Sequence, residues 1–352
     1  MGTKSSTQGF RVKIPEDLSP SSVLGFTKKL NLLPTVDEYR FDFGIDRWFP
    51  PFSMLLLSVA LRKFRESHPG ARCRAENYRN HGYAAHMGFF KAFGLKHGKG
   101  LGEAPGSETY LPMTELSVEE IANEAARGYE AVGDVIERKS ERISRLLTQI
   151  EEGDLVDTLS FSIREIIRNV VEHSGADRVF YCGQYWPTLH SVGVGIADCG
   201  IGMQKALSQN ENLAIQSDRD AIHMALLPGI SGNPLAGKGA TYDHWQNSGY
   251  GLYMTNRLCR SGGSFTVCSG QTAVTLDDGH KRDIACDFTG TAIRMEIDTR
   301  SIGSLRKKLA QFRDEGAEVA RTLSGTTAIN PSAASQMLSR DFMNLGRNKG
   351  NH

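Results

Sequence analysis

None of the six cysteines in this chain stands in a Cys-x-x-Cys pair. Their scatter argues against a zinc site or a disulfide framework, and a reduced, cytoplasmic compartment is expected. An excess of one charge is also missing: 41 Lys and Arg against 40 Asp and Glu leave a formal net charge of +1. No membrane or nucleic-acid partner is therefore expected. The most apolar run, FSMLLLSVAL at 52–61, is far too short to span a bilayer. The start, MGTKSSTQGF, has no apolar h-region, so no signal peptide is expected, and Met1-Gly2 has no second anchoring signal beside it. There is no internal repeat. What remains is a globular composition, 39% hydrophobic and 23% charged, in 352 residues. A chain of that length predicts two domains more readily than one.

Residues 11–100 read as a small α/β unit, after a flexible start over 1–10. YRFDFGIDRWF (39–49) predicts a strand and turn, and PPFSMLLLSVALRKFRE (50–66) a helix with prolines at its start. ARCRAEN predicts a second strand, and GYAAHMGFFKAFGL a second helix. The Gly-rich stretch 101–113 reads as a linker. From Thr114 a helical pattern runs to about Ile150, with Thr114 or Ser117 as its cap and Glu119 and Glu120 in the first turn. A further helix follows Gly153. ADRVFYCGQYW and HSVGVGIADCG predict strands, as do SFTVCSG, RDIACDF and GTAIRMEID. Residues 203–248 read as a long irregular lid, 301–323 as a charged helix and 324–352 as a disordered tail.

Chemistry concentrates in four short elements. In SFSIREIIRNVVEHS (160–174), Leu159, Ile163, Ile166 and Val170 form one apolar stripe, while Glu165 and Asn169 stack a turn apart on another face, with Glu172 and His173 beyond them. DCGIG follows a buried strand, so Asp198 needs hydrogen-bond donors there, and an adenine amino group is a suitable one. Gly200 and Gly202 let the backbone approach a flat ring or turn tightly. In GYGL, Gly249 and Gly251 open a helix before Leu252 and would present N–H groups to a triphosphate. TGT, ending in Thr291, leads into a strand. Asn169 offers Mg²⁺ a neutral oxygen, and Glu165 is placed to orient or deprotonate a water or hydroxyl. Lys238 offers a point charge toward a γ-phosphate. His173 is a further candidate for phosphate contact, alongside a capping or core role.

In this order the elements E-x-x-x-N, D-x-G-x-G, G-x-G-L and G-T resemble the N, G1, G2 and G3 boxes of the GHKL ATPase superfamily, over roughly 114–300. REIIRNVVEHS is similar to the version found in histidine kinases and anti-sigma-factor kinases. The resemblance implies a Bergerat α/β sandwich of a mixed sheet covered by helices, holding Mg-ATP under a mobile lid. Carried over by position, Asp198 meets adenine, with Thr291 in support. Asn169 holds magnesium, Glu165 is the catalytic base, and Gly249 and Gly251 face the phosphates. Glu172 stands where many histidine kinases carry a basic residue. FDFGIDRWFPPFSMLLLSVALRKF with GYAAHMGFFKAFGL resembles STAS domains, which implies a protein-interaction or dimerisation module. Ser53 is the only hydroxyl near the junction where that family is phosphorylated.

Two functions compete at this stage. One is a regulatory enzyme that hydrolyses ATP or phosphorylates a protein. The other is an ATP-gated interaction switch with negligible turnover. A histidine kinase ranks below both, because 114–150 contains no histidine to accept phosphate.

Overall fold

The computed structural model describes residues 9–45, 47–107, 109–232 and 249–324, with side chains described to Val319. Strands β1 (Phe10–Lys13), β2 (Glu38–Asp42) and β3 (Arg72–Glu76) pair in that order as a parallel sheet. Helices α1 (Pro20–Leu30) and α2 (Pro51–Ser67) connect them. Both begin with proline at the first turn, where its missing N–H has no helical partner in any case. The second helix expected over this unit is split into α3 (Gly82–His86) and α4 (Phe89–Ala92). Gly88 divides them with a left-handed φ of 90°, which a side chain rarely adopts.

The stretch expected as a linker is tied down. Gly102 N–H donates to Met113 O at 2.8 Å, and Met113 N–H to Met87 O at 2.9 Å. Tyr110 already opens β4 (Tyr110–Ser117). The single helix expected from Thr114 is therefore corrected to β4, α5 (Val118–Gly128) and α6 (Val132–Thr148). Ser117 caps α5 by accepting from Glu120 N–H at 3.2 Å. Tyr129, with φ 52°, turns the chain out of that helix.

Beside β4 lie β5 (Arg178–Trp186), β6 (Ser191–Asp198), β7 (Ser264–Leu276) and β8 (Lys281–Asp298), in the order β4-β5-β6-β8-β7. Every neighbouring pair is antiparallel, so the mixed sheet expected for this half is corrected. The short β5–β6 and β7–β8 connections permit only that direction. RDIACDF and GTAIRMEID, expected as two strands, run on as β8, because a register shift against β7 near Gly270 absorbs the irregularity between them. After α7 (Asp154–Asn169), the stretch expected to be irregular contains α8 (Gly202–Leu207) and α9 (Asp218–Ala225). Helices α10 (Gly251–Arg260) and α11 (Leu305–Ser324) complete the described chain. The expectations for 1–8, 233–248 and 325–352 lie outside the described residues.

The antiparallel sheet is apolar on both faces. Val192, Val194 and Ile196 of β6 join Val267 and Ile293 in a core with α6, α7 and α10. Phe180, Cys182, Ala197 and Ala292 point the other way, into a core shared with α2 and the parallel sheet. Helix α2 lies between the two sheets and is buried from Pro51 to Val59. Its Phe64 meets Tyr39 and Phe41 edge-on, at 4.9 and 5.5 Å between ring centroids. The small residues of VGVGIA now have a reason: a Cβ on Gly195 would lie 3.1 Å from Phe52 Cα. Ser53 is fully buried and donates to Leu18 O at 2.6 Å, which removes it as an accessible phosphorylation site. None of the six cysteines is in a disulfide. Among the described residues, no helix is long and apolar enough to cross a membrane.

Candidate functional site

Helix α7 buries Leu159, Ile163 and Ile166 in the core it shares with α6, α10 and the antiparallel sheet, with Val170 continuing the stripe. That packing leaves the polar residues beside the stripe facing a cavity of about 370 Å³. Its walls include Glu165, Asn169, His173, Asp198, Gly202, Gly249, Gly251, Leu252 and Thr291, drawn from four separate stretches of chain. Gly200 is not among them. It acts one step behind, where a Cβ would fall 2.2 Å from Ser174 O. Lys238 lies outside the described residues.

Glu165 is 7% exposed, and burial pushes its carboxyl up from the usual range. Arg164 opposes that shift, donating through Nε and Nη2 to Oε1 at 3.1 and 2.8 Å. The same guanidinium reaches Glu137 on α6 at 2.9 Å, so the acid is anchored to the neighbouring helix. Its other oxygen faces the start of α10, where a Cβ on Gly251 would lie 2.0 Å from Oε2. Glycine is the residue that permits this approach. Just before it, Gly249 takes a left-handed φ of 73°.

One turn after Glu165, α7 loosens into a π turn, Val170–Ser174, closed by Gly175 at φ 63°. Such widened turns occur often at functional sites. Ser174 Oγ donates back to Val170 O at 2.8 Å. Ser174 O in turn accepts from Ile201 N–H at 2.8 Å, which ties the turn to the DCGIG loop. Among the described residues, none hydrogen-bonds the Asn169 side chain.

Asp198 ends β6, paired with Val179 on β5 and Thr291 on β8, and is 1% exposed. Burial raises its pKa to about 6, although backbone N–H groups of Gly200 and Thr291 pull the other way. The Gly200 N–H donates to Oδ1 at 2.8 Å. Ser269 braces the pocket floor, donating to Gly290 O and accepting from Met203 N–H, each at 2.9 Å. Gly290, at φ 93°, lies so close to Asp198 that a Cβ would sit 2.2 Å from its carbonyl oxygen. Cys199 points elsewhere: it is exposed, and Arg62 of α2 donates to its sulfur at 3.4 Å.

Three wall residues carry carboxyl groups that could face a ligand: Glu165, Glu172 and Asp198. Among the described residues, no cluster of three or more His, Cys, Asp or Glu side chains could hold a metal. A cation here would need oxygens from its ligand and from water, a coordination that suits Mg²⁺. Asn169 and the glycine-lined α10 start are compatible with such a group.

Sequence reasoning missed Arg168, which also lines the cavity and donates to Glu172 Oε1 at 2.6 Å. The signal was there, since Arg168 precedes Asn169 and stands four residues before Glu172. It also missed Arg164 and Ser269. For Ser269 no sequence pattern existed, because its role depends on how β7 meets two distant loops. A scan of protein-family models, a search of curated proteins and a search of solved structures each returned no match to this chain.

Proposed function

We propose that this chain is an Mg-ATP-binding regulatory protein of the GHKL type, built on a Bergerat-like sandwich, that hydrolyses ATP or phosphorylates a protein partner. The observation that carries this reading is convergence: Glu165, Asn169, Asp198, Gly249, Gly251 and Thr291 come from four separate stretches of chain yet line one cavity. Asp198, buried and anionic above about pH 6, suits an adenine amino donor. The N–H groups around Gly249 and Gly251 suit phosphate oxygens. Asn169, phosphate oxygens and water would hold Mg²⁺, which neutralises phosphate charge when bound. Glu165 would accept the proton of an attacking water or partner hydroxyl. A bond then forms at the γ-phosphorus, the β–γ bridging P–O bond breaks, and ADP departs.

The STAS-like half is read as the interaction module. Its parallel sheet turns Arg11, Lys13, Arg40, Arg72 and Arg74 outward beside Glu38 and Glu76, a polar face suited to a protein surface or a second copy of this chain. A cytoplasmic setting and the absence of a membrane role accompany this reading. The second reading, an ATP-gated switch with negligible turnover, is favoured by one contact: two Arg164 donors on Oε1 weaken Glu165 as a base.

Two measurements test the proposal. ATP affinity of the Asp198→Asn variant should fall about tenfold or more, and unchanged affinity would sink the adenine assignment. Phosphate release with Mg-ATP should drop about 10²- to 10⁴-fold in Glu165→Gln if Glu165 is a general base. Equal, slow release from both proteins, with binding intact, selects the switch.

A further inference from the structure

The ATP reading leaves a charge problem. A polyphosphate would enter a cavity already lined by Glu165, Glu172 and Asp198. Among the described residues, Arg168 is the one Lys or Arg in its wall. Its side chain is 12% exposed, while that of its ion-pair partner Glu172 is 38% exposed. The burial is thus lopsided. The guanidinium is held inside, and the carboxylate that holds it sits nearer to water.

Backbone geometry adds a second element. Arg168 ends the regular part of α7 just before Asn169, whereas Glu172 belongs to the π turn. The cation stands on a firm helix and its counter-ion on a widened, less regular one. Glu172 Oε2 also lies 3.7 Å from His173 Nε2, so the same turn carries two polar side chains at the cavity mouth.

Resting on the ATP reading above, we infer that Arg168 is the residue that recognises the terminal phosphates, with Glu172 as a stand-in anion that the polyphosphate displaces. In the ligand-free cavity Glu172 Oε1 occupies Arg168 Nε at 2.6 Å. A phosphate oxygen offers the guanidinium the same acceptor chemistry with more charge and the planar fork it favours. Displaced Glu172 moves into water at low cost because it is already the more exposed partner. The π turn then reports whether the nucleotide carries its outer phosphates. The ligand class is a nucleoside di- or triphosphate, and monophosphates and nucleosides are discriminated against.

The test compares binding of ATP, ADP, AMP and adenosine to the full chain in calorimetric titrations. Arg168→Gln should weaken ATP about tenfold or more, ADP to a similar or smaller degree, and leave adenosine unchanged. Glu172→Gln removes the competitor and should tighten ATP by a few-fold without affecting adenosine. Arg168→Lys keeps charge but not the fork and should fall between Gln and wild type. If Arg168→Gln weakens all four ligands equally, or leaves ATP unchanged, the assignment is overturned while the ATP reading survives. If wild type binds none of the four, the ATP reading falls and this assignment with it. Matching thermal unfolding of the variants and wild type separates lost recognition from lost fold.

Discussion

At the scale of single residues, the most informative group is Asp198. Its folded pKa of about 6 lies above the ordinary 3.8, because burial disfavours the charge. The protonated form is therefore the one that folding favours. Stability contributed by this group is full below about pH 4 and is lost as pH rises through about 6. The loss is on the order of 2–3 kcal/mol at ~1.4 kcal/mol per pKa unit. The proposed adenine contact would run the opposite way, since the ionised carboxylate is the better acceptor. Chemical denaturation across pH 4–7 should show the ligand-free protein weakening while ATP affinity rises in the same window. Asp198→Asn should flatten both curves, and a wild type with a flat stability profile would refute the buried-charge account. The candidate acid was readable in the sequence as a charge after an apolar strand. What holds it was not, because the Thr291 N–H and the close-lying Gly290 reach it only through the pairing of β8 with β6, and Ser269 braces Gly290 only through the pairing of β7 with β8.

At the scale of elements, the site depends on close approaches between backbones rather than on any one side chain. The contact between the DCGIG loop and the π turn is one of these. Gly200 leaves no room beside Ser174 O, and Ile201 N–H bonds that same oxygen. Gly200→Ala should force the loop and the turn apart, costing about 1–3 kcal/mol as overpacking does, and should weaken nucleotide binding without touching the ligand. Urea unfolding paired with ATP titration checks this, and an alanine variant of wild-type stability would show that the two segments move independently. Helices with caps and stripes were the legible elements: α2, α7 and α10 follow their proline, glycine and apolar signals closely. Thr114–Ser117 read as helix because polar and acidic residues mask the strand, whose pairing with β5 is a tertiary fact. Helices α8 and α9 were hidden by the surrounding Gly, Asn and Pro, whose turn chemistry outweighs so short a periodicity.

For the whole molecule, the decisive feature is that α2 is buried between two sheets. The sequence predicts two units joined by a linker, and its composition cannot reveal that both bury the same sheet. Leu55, Leu56 and Leu57 of α2 are at most 1% exposed, so each contributes roughly 1.5–3 kcal/mol by leaving water. A fragment spanning 110–324 would expose Phe180, Cys182, Ala197 and Ala292, which lie in the core shared with α2. That fragment should aggregate or lack cooperative unfolding by circular dichroism, while the full chain unfolds in one transition. A soluble fragment with a sharp transition of its own would restore the independent-domain picture. Strand β6 carries this dependence in its alternation, with valine and isoleucine toward the α7 side and glycine and alanine toward α2. The two halves are therefore bound by one shared surface: without the first hundred residues those small positions would lie uncovered. Gly195 is thus a gauge of the spacing between α2 and the sheet, since a Cβ there would lie 3.1 Å from Phe52 Cα.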